Sequence, residues 1–210
     1  MKSSFPSIRK KKKMKKTIKF FYGMSGTFKT TLINTEIQNH SRYTSPYVVW
    51  SMIKQWKDLE DSVFSGLVEK NHLNFALLHL CNLGNAVKSS ENDGLSILVE
   101  RGVSDPLFYY LQKDDMDYNN WIKAVIEKEL DLCYGFNIEK ILLIQRDKDF
   151  IENVILKEPH RKAIFPSVEN YLKAQERYIE FTEKFNEITE KIEINNAKSF
   201  LNSLGITFKF

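Results

Sequence analysis

Cysteine is scarce in this chain, with only Cys81 and Cys133 among 210 residues. Two thiols so far apart cannot build a disulfide scaffold or a zinc cluster, so we expect both to be reduced core residues. Five prolines and eight glycines leave no room for a long flexible linker. No apolar run approaches the roughly 20 residues of a membrane-spanning helix, and the basic start lacks the apolar stretch of a secretory signal. These absences predict a cytoplasmic protein with no membrane partner.

A basic arm opens the chain. Residues 1–16 hold eight lysine and arginine residues and no acid, so the formal net charge of +4 for the whole chain becomes −4 for the rest. Two interpretations stay open: the arm neutralises DNA phosphates without reading sequence, or it is a dispensable, disordered extension that ends near Met14. Residues 17–210 predict a single domain, because 42% apolar residues suffice for a substantial core.

Short β-rich runs alternate with helical patterns along that domain. Strands are predicted at 17–23, 47–50, 95–102, 139–147 and in IEINNA (192–197), with an edge strand in ITFKF (206–210). Helices are predicted at 30–39, twice within 52–88, at 104–112, 118–133 and 167–191, and in AKSFLNSLG (197–205). Strands separated by helices predict a three-layer α/β fold with a mostly parallel, five-stranded sheet.

Residues of types that bind ligands or take part in catalysis follow three of these strands. Gly23 follows the first, Glu100 and Arg101 end the third, and Arg146 and Asp147 end the fourth. Ligands of open α/β sheets bind at the carboxyl ends of the strands. We therefore expect a functional site where these residues meet.

The turn after the first strand reads GMSGTFKT and fits the phosphate-loop pattern G-x-x-x-x-G-K-[ST] except at Phe28. Such a loop points its backbone N–H groups at phosphate oxygens, its lysine at the β and γ phosphates and its hydroxyl at Mg²⁺. Phe28 fits this function if its φ is negative and its ring turns away from the phosphates. The competing interpretation is an ordinary strand-to-helix turn. The predicted phosphate-binding residues are Gly23, Ser25, Gly26, Thr27, Phe28, Lys29, Thr30 and Thr31.

The strand end ERGVSD forms the second candidate constellation. Glu100, together with Thr30, is a predicted Mg²⁺ ligand. The planar guanidinium of Arg101 suits an oxyanion. The competing interpretation is a structural ion pair that closes the sheet. Asp105 is predicted to cap the following helix, with Pro106 in its first turn.

These motifs resemble those of P-loop nucleoside and nucleotide kinases of the thymidylate kinase and deoxynucleoside kinase type. The resemblance implies a P-loop NTPase fold, ATP and Mg²⁺ as cofactors, and a helical lid at about residues 147–166. It also implies that the loop binds ATP, that Glu100 and Arg101 serve Mg²⁺ and the acceptor, and that the lid brings arginine or lysine to the transferred group. The lid candidates are Arg146, Lys148, Arg161 and Lys162, and the predicted catalytic residues are Lys29, Glu100, Arg101, Arg146 and Arg161.

One departure from the deoxynucleoside kinases bears on the acceptor. Those enzymes typically carry an acid at the end of the second strand, where this chain has Ser51, with Asp58 and Glu60 further on. A monophosphate acceptor needs no such base. Aromatic residues nearby either stack on a nucleobase or belong to the core; they are Tyr47, Trp50 and Trp56.

The resemblance extends to thymidylate-kinase-like enzymes of bacteriophages that phosphorylate 5-hydroxymethyluracil within DNA, for which the location would be the host cytoplasm. There the acceptor base would be flipped into the pocket. The expected acceptors are thus a nucleoside, a nucleotide or a modified DNA base, with DNA contact through the arm and a homodimer left open. The rival classes are a P-loop NTPase or regulatory module without an organic acceptor, and a non-enzymatic scaffold with a decayed loop.

Overall fold

The computed structural model describes residues 16–44, 71–108 and 116–207. Several predicted features lie outside these ranges: the arm up to residue 15, the strand at 47–50 with its neighbouring aromatic residues, the helical residues before 71, and the last three residues. Within the described ranges no helix is long and apolar enough to cross a membrane.

The sheet has five strands in the order β2-β3-β1-β4-β5. They are β1 (Thr17–Tyr22), β2 (Tyr43–Thr44), β3 (Ser96–Glu100), β4 (Asn137–Gln145) and β5 (Glu190–Ile194). All described pairs are parallel, so the sheet predicted to be mostly parallel is wholly parallel over these residues. Phe21 of β1 lies opposite both Glu100 of β3 and Ile141 of β4. This register brings the residues that follow β1 and β3 to the same edge.

Helices connect the strands. They are α1 (Lys29–Asn39), α2 (Asn71–Asp93), α3 (Asp105–Phe108), α4 (Met116–Leu132), α5 (Lys148–Phe150), α6 (Pro159–Ile164), α7 (Val168–Phe185) and α8 (Ala197–Ser203). The short α5 runs directly into a π-helical segment, Ile151–Ile155. The residues predicted to form a lid thus contain α5, the π-helical segment and α6.

Both faces of the sheet are covered. Alternate β1 residues, such as Phe20 and Tyr22, share one buried cluster with Tyr171 and Tyr178 of α7. Phe21 points the other way, into a second buried cluster that contains Leu32 and Ile33 of α1. Because successive side chains of a strand point to opposite faces, the two clusters mark two helical layers with the sheet between them. The predicted three-layer arrangement is confirmed.

Two predicted elements end differently in the structure. The long helix predicted for 167–191 ends at Phe185, because Asn186 is drawn into a buried polar network. The Asn186 side chain accepts from Tyr22 Oη and Lys140 Nζ, each at 3.1 Å, and donates to Ser104 Oγ at 3.0 Å. Tertiary hydrogen bonds therefore override a helical sequence pattern here, and β5 begins soon afterwards. An edge strand was predicted at 206–210. The structure describes residues 206 and 207 of that range, and neither is in a strand.

Candidate functional site

The turn between β1 and α1 has the backbone conformation of a loop that needs glycine. Gly23 has φ 144° and Gly26 has φ 90°. A Cβ at Gly23 would lie 2.5 Å from Thr27 Oγ1 and 2.7 Å from the Leu143 carbonyl oxygen, so no larger residue fits. A Cβ at Gly26 would lie 2.4 Å from Ile155 of the π-helical segment. Both glycines are required by close approach as well as by φ.

Phe28 adopts the conformation that glycine normally takes at this position. Its φ of 60° and ψ of 19° are left-handed, so the negative φ that the sequence analysis set as a condition for phosphate binding is not found. The ring does turn away from the loop and packs against Phe150 and Phe200, with centroid distances of 4.9 Å and 5.8 Å. A left-handed conformation costs a non-glycine residue roughly 1–2 kcal/mol. Aromatic packing offsets that strain, so the loop keeps a glycine-like backbone without glycine.

Lys29 lies inside the loop. Its side chain is buried, and Nζ donates to the Met24 carbonyl oxygen at 2.8 Å and to Thr27 Oγ1 at 3.2 Å. Burial and then the positive charge of Arg101 lower the pKa of the Lys29 ammonium from its ordinary 10.5 to about 7, and Arg161 contributes in the same direction. Because the surroundings stabilise the charged form of Lys29 so weakly, an anion that binds beside it would be favoured.

The other predicted loop residues serve the loop itself. Thr27 is fully buried, and its hydroxyl donates to the Met24 carbonyl oxygen at 2.9 Å. The Ser25 carbonyl oxygen accepts from Tyr171 Oη at 2.8 Å. Thr31, in the first turn of α1, is partly exposed, and its carbonyl oxygen accepts from Thr35 Oγ1.

Thr30 and Glu100 meet across the gap between α1 and β3. Thr30 Oγ1 donates to Glu100 Oε2 at 2.8 Å. Hydroxyl and carboxylate oxygens are the ligand types that Mg²⁺ prefers, so these residues fit the expected ion. Within the described residues there is no cluster of three or more histidine, cysteine, aspartate or glutamate side chains that could hold a metal ion.

Arg101 is buried directly after β3 and has a left-handed φ of 67°. Its Nη1 lies 2.5 Å from Asp105 Oδ2, so the two side chains form an ion pair. One of the two interpretations of the sequence predicted an ion pair at this position. Asp105 was predicted to cap α3 but is instead its first residue, with its carboxylate engaged by side chains. Asp105 Oδ1 accepts from Tyr178 Oη at 2.5 Å, and Tyr178 Oη accepts from the Gly23 N–H at 2.9 Å. The ion pair and the loop are therefore connected.

Helix α7 supports the loop along one buried face, which the sequence reading missed. Besides Tyr171 and Tyr178, the face carries Gln175, whose amide exchanges two 2.9 Å hydrogen bonds with the backbone of Gln145. Gln145 Nε2 donates in turn to the Gly26 carbonyl oxygen at 3.3 Å. The i, i+4, i+7 spacing of these three α7 residues places them on one helix face. That spacing was the available signal, although it does not reveal the partners.

The lid candidates occupy different places. Arg146 pairs with Glu176 and, at 3.5 Å, with Glu193; the bond to Glu176 is the main cause that raises the pKa of the Arg146 guanidinium. Arg161 pairs with Glu158 at 3.2 Å, and its buried Nε has no hydrogen-bond partner in the described part of the chain.

The two lysine candidates lie together elsewhere in the lid. Lys148 and Lys162 line a cleft of about 840 Å³ between α5 and the start of α7. Among the lid candidates, the positive charge of Arg161 contributes to lowering the pKa of Lys29.

No protein-family model matches the chain, and a comparison with curated proteins finds no similar sequence. Solved structures do match. A thymidylate kinase from Ehrlichia chaffeensis has a TM-score of 0.52 at 11% identity, with 86% of this chain and 89% of that one covered. A deoxyadenosine kinase from M. mycoides, solved with bound dATP, has a TM-score of 0.51 at 19% identity, with 90% and 99% covered.

The chain has the P-loop NTPase fold. Its five-stranded parallel sheet with helices agrees with these two structures, which confirms the predicted fold class. At these levels of identity the likeness shows the fold alone. We call the segment 23–30, which carries the phosphate-loop pattern and includes Lys29 and Thr30 at the start of α1, the P-loop.

Proposed function

We propose that this protein is a P-loop phosphotransferase that moves the γ-phosphoryl group of ATP to a nucleoside, a nucleotide or a modified DNA base. The observation that carries the proposal is the contact between Thr30 Oγ1 and Glu100 Oε2 at 2.8 Å, beside the buried Lys29. In a loop that had lost its function, nothing would maintain a hydroxyl, a carboxylate and a lysine together at one edge of the sheet. The names of the two similar structures, both nucleotide or nucleoside kinases, point the same way.

The donor half of the site is the P-loop. Its main-chain N–H groups would hold the phosphates, and Lys29 would exchange its bonds to Met24 and Thr27 for phosphate oxygens. Because the pKa of Lys29 is about 7, the ammonium gains more from a phosphate partner than an ordinary surface lysine would. The segment from Ser25 to Thr31 would lie along the path of the phosphates.

Thr30 and Glu100 would hold Mg²⁺, which neutralises charge on the β and γ phosphates of a bound nucleotide. The two side chains already lie within hydrogen-bond distance of each other. They need only small movements to share one ion or its water shell.

Arginine would stabilise the transferred group. Charge spreads over the equatorial oxygens during phosphoryl transfer, and guanidinium groups placed there lower the barrier. Arg101 would serve on the acceptor side. Arg161 would serve from the lid, since its buried Nε has no hydrogen-bond partner among the described residues and its positive charge lowers the pKa of Lys29. Arg146 would join only after its pairs with Glu176 and Glu193 open.

The acceptor defines the finer part of the proposal. Ser51 stands where deoxynucleoside kinases carry an acidic base, which favours an acceptor that brings its own negative charge, such as a monophosphate. The basic arm and the phage resemblance favour 5-hydroxymethyluracil in DNA as the alternative acceptor.

One labelling experiment tests these possibilities together. The full chain is incubated with Mg²⁺ and ATP labelled at the γ position, in separate reactions with deoxynucleosides, deoxynucleoside monophosphates and DNA that contains 5-hydroxymethyluracil. Label on one organic acceptor, lost in Lys29→Ala, is the expected result. Label released only as inorganic phosphate would show that the protein is an NTPase and not a kinase. Absence of both, together with no heat of ATP binding in calorimetry, would refute the proposal.

A further inference from the structure

We infer that Tyr178 and Asp105 are positioning residues that fix the Arg101 guanidinium relative to the P-loop; the catalytic consequence rests on the proposed phosphotransfer. The Asp105 carboxylate is shared between Arg101 Nη1 and Tyr178 Oη, each at 2.5 Å. The same Tyr178 oxygen accepts from the Gly23 N–H at 2.9 Å. One hydroxyl thus connects the start of the P-loop with the acid that holds Arg101.

All three side chains of this bridge are buried. Tyr178, Asp105 and Arg101 are 0%, 1% and 7% exposed. A carboxylate so fully removed from water is stable only when charged or strongly polar partners occupy its oxygens. Charge-assisted hydrogen bonds are both stronger and more directional than neutral ones. Burial therefore makes the bridge a rigid connection.

Arg101 needs such a connection because its backbone is strained. Phe28 and Arg101 are the two non-glycine residues with positive φ in the described part of the chain, and both belong to the candidate site. Strained residues persist only where the surroundings hold them in place. The backbone of Arg101 is held by its N–H, which donates to the Phe21 carbonyl oxygen at 2.9 Å. Its side chain is held by Asp105.

The helix that carries Tyr178 follows the lid along the chain. Tyr178 lies on α7, which begins shortly after α6, the helix that carries Arg161. The same helix face binds the P-loop a second time, through Tyr171 and the Ser25 carbonyl oxygen. Tyr171→Phe would therefore act on the P-loop, whereas Tyr178→Phe would act on the P-loop and, through Asp105, on Arg101. This asymmetry supplies a matched control.

The test is a double-mutant cycle of Tyr178→Phe and Arg101→Lys on the full chain. Tyr178→Phe keeps the ring, which packs edge-on against Phe108 at 5.0 Å, and removes only the hydroxyl. We expect kcat to fall about tenfold with less than about threefold change in KM for ATP, because the loss is one of transition-state alignment. In the Arg101→Lys background the same change should lower kcat by less than about twofold. An equal loss in both backgrounds would show that Tyr178 is merely structural and would overturn the inference.

Amide hydrogen exchange gives a readout that needs no activity. Tyr178→Phe should raise exchange at Gly23 and across residues 101–105 together, whereas Tyr171→Phe should affect the loop near Ser25 and leave 101–105 unchanged. If Tyr178→Phe does not fold, Asp105→Asn replaces it, since that change weakens the hold on Arg101 and keeps the side-chain shape. Unchanged exchange at 101–105 in the folded variant would overturn the inference.

The two proposals can fail separately. A wild-type chain that transfers no phosphoryl group to any acceptor would refute the proposed function, while the exchange experiment would still decide whether the bridge exists. A wild-type chain that transfers phosphate, with Tyr178→Phe losing the same factor in both backgrounds, would refute only the bridge. Tyr171→Phe controls for the cost of removing a buried tyrosine hydroxyl that holds the P-loop, because Tyr171 Oη donates to the Ser25 carbonyl oxygen at 2.8 Å and lies outside the bridge.

Discussion

Phe28 offers a test of the P-loop backbone through the comparison of Phe28→Gly with Phe28→Ala. At an ordinary position glycine is less stable than alanine by roughly 0.5–1 kcal/mol, because glycine has more freedom to lose on folding. At Phe28, with φ 60°, alanine keeps the left-handed strain and glycine removes it. We therefore expect the usual order of stability to be inverted.

The magnitude follows from three contributions. Both variants lose the ring that packs between Phe150 and Phe200. Truncating a buried phenylalanine costs about 3–5 kcal/mol, and Phe28 is only partly buried, so about 2 kcal/mol is reasonable. Release of the left-handed strain returns roughly 1–2 kcal/mol to glycine alone, against the roughly 0.5–1 kcal/mol of added entropy. Phe28→Gly should then be more stable than Phe28→Ala by about 0–1.5 kcal/mol, with a middle value of about 0.75 kcal/mol, although both are less stable than wild type.

Urea unfolding of the three proteins measures these differences, with equal m-values as the condition for comparison. Phosphotransfer by Phe28→Gly should equal or exceed wild type per folded molecule, because glycine restores the phosphate-loop pattern. An alanine variant more stable than the glycine variant would refute the left-handed assignment. Complete loss of activity in a folded Phe28→Gly would show that the ring takes part in the reaction.

Three further predictions concern the charged residues of the site. Lys29→Ala should abolish phosphotransfer and leave the far-ultraviolet circular dichroism unchanged. Full activity of this variant would show that the P-loop takes no part in the reaction. Glu100→Gln should raise the Mg²⁺ concentration for half-maximal activity at least about tenfold, and an unchanged Mg²⁺ titration would exclude Glu100 as a ligand. Because the pKa of Lys29 is about 7 in the free protein and phosphate favours its charged form, ATP affinity should fall as pH rises from 7 to 9, with proton uptake on binding. Calorimetry in two buffers of different ionisation enthalpy measures that uptake, and Lys29→Met should remove it.

The three central strands, β1, β3 and β4, were predictable because each contains an apolar run that suits burial on both faces. The run around Leu142 and Leu143 needs nothing but its own composition to be recognised as a buried strand. The meeting of Thr30 with Glu100 was predictable as well, since parallel strands end at one edge and the loop pattern supplies the hydroxyl.

The parts that sequence reasoning missed depend on contacts between distant residues. Tyr178 is 155 residues from Gly23, and a tyrosine within an apolar helix face looks like an ordinary core residue. The end of α7 was missed because the pattern after Phe185 stays helical, and only the bonds of Asn186 stop it. The φ of Phe28 was missed because aromatic packing from two other elements, and not the local sequence, supports it.

The anchoring of Asn186 limits how α7 can move. Its bonds to Tyr22, Lys140 and Ser104 fix the carboxyl end of the helix, so a displacement of the lid would tilt α7 about that end as a lever. At 1.5 Å per residue, Tyr171 lies about 22 Å from this pivot and Tyr178 about 12 Å. The displacement at Ser25 would thus be nearly twice that at Gly23, so a tilt of α7 would change the shape of the P-loop and not merely shift it as a whole.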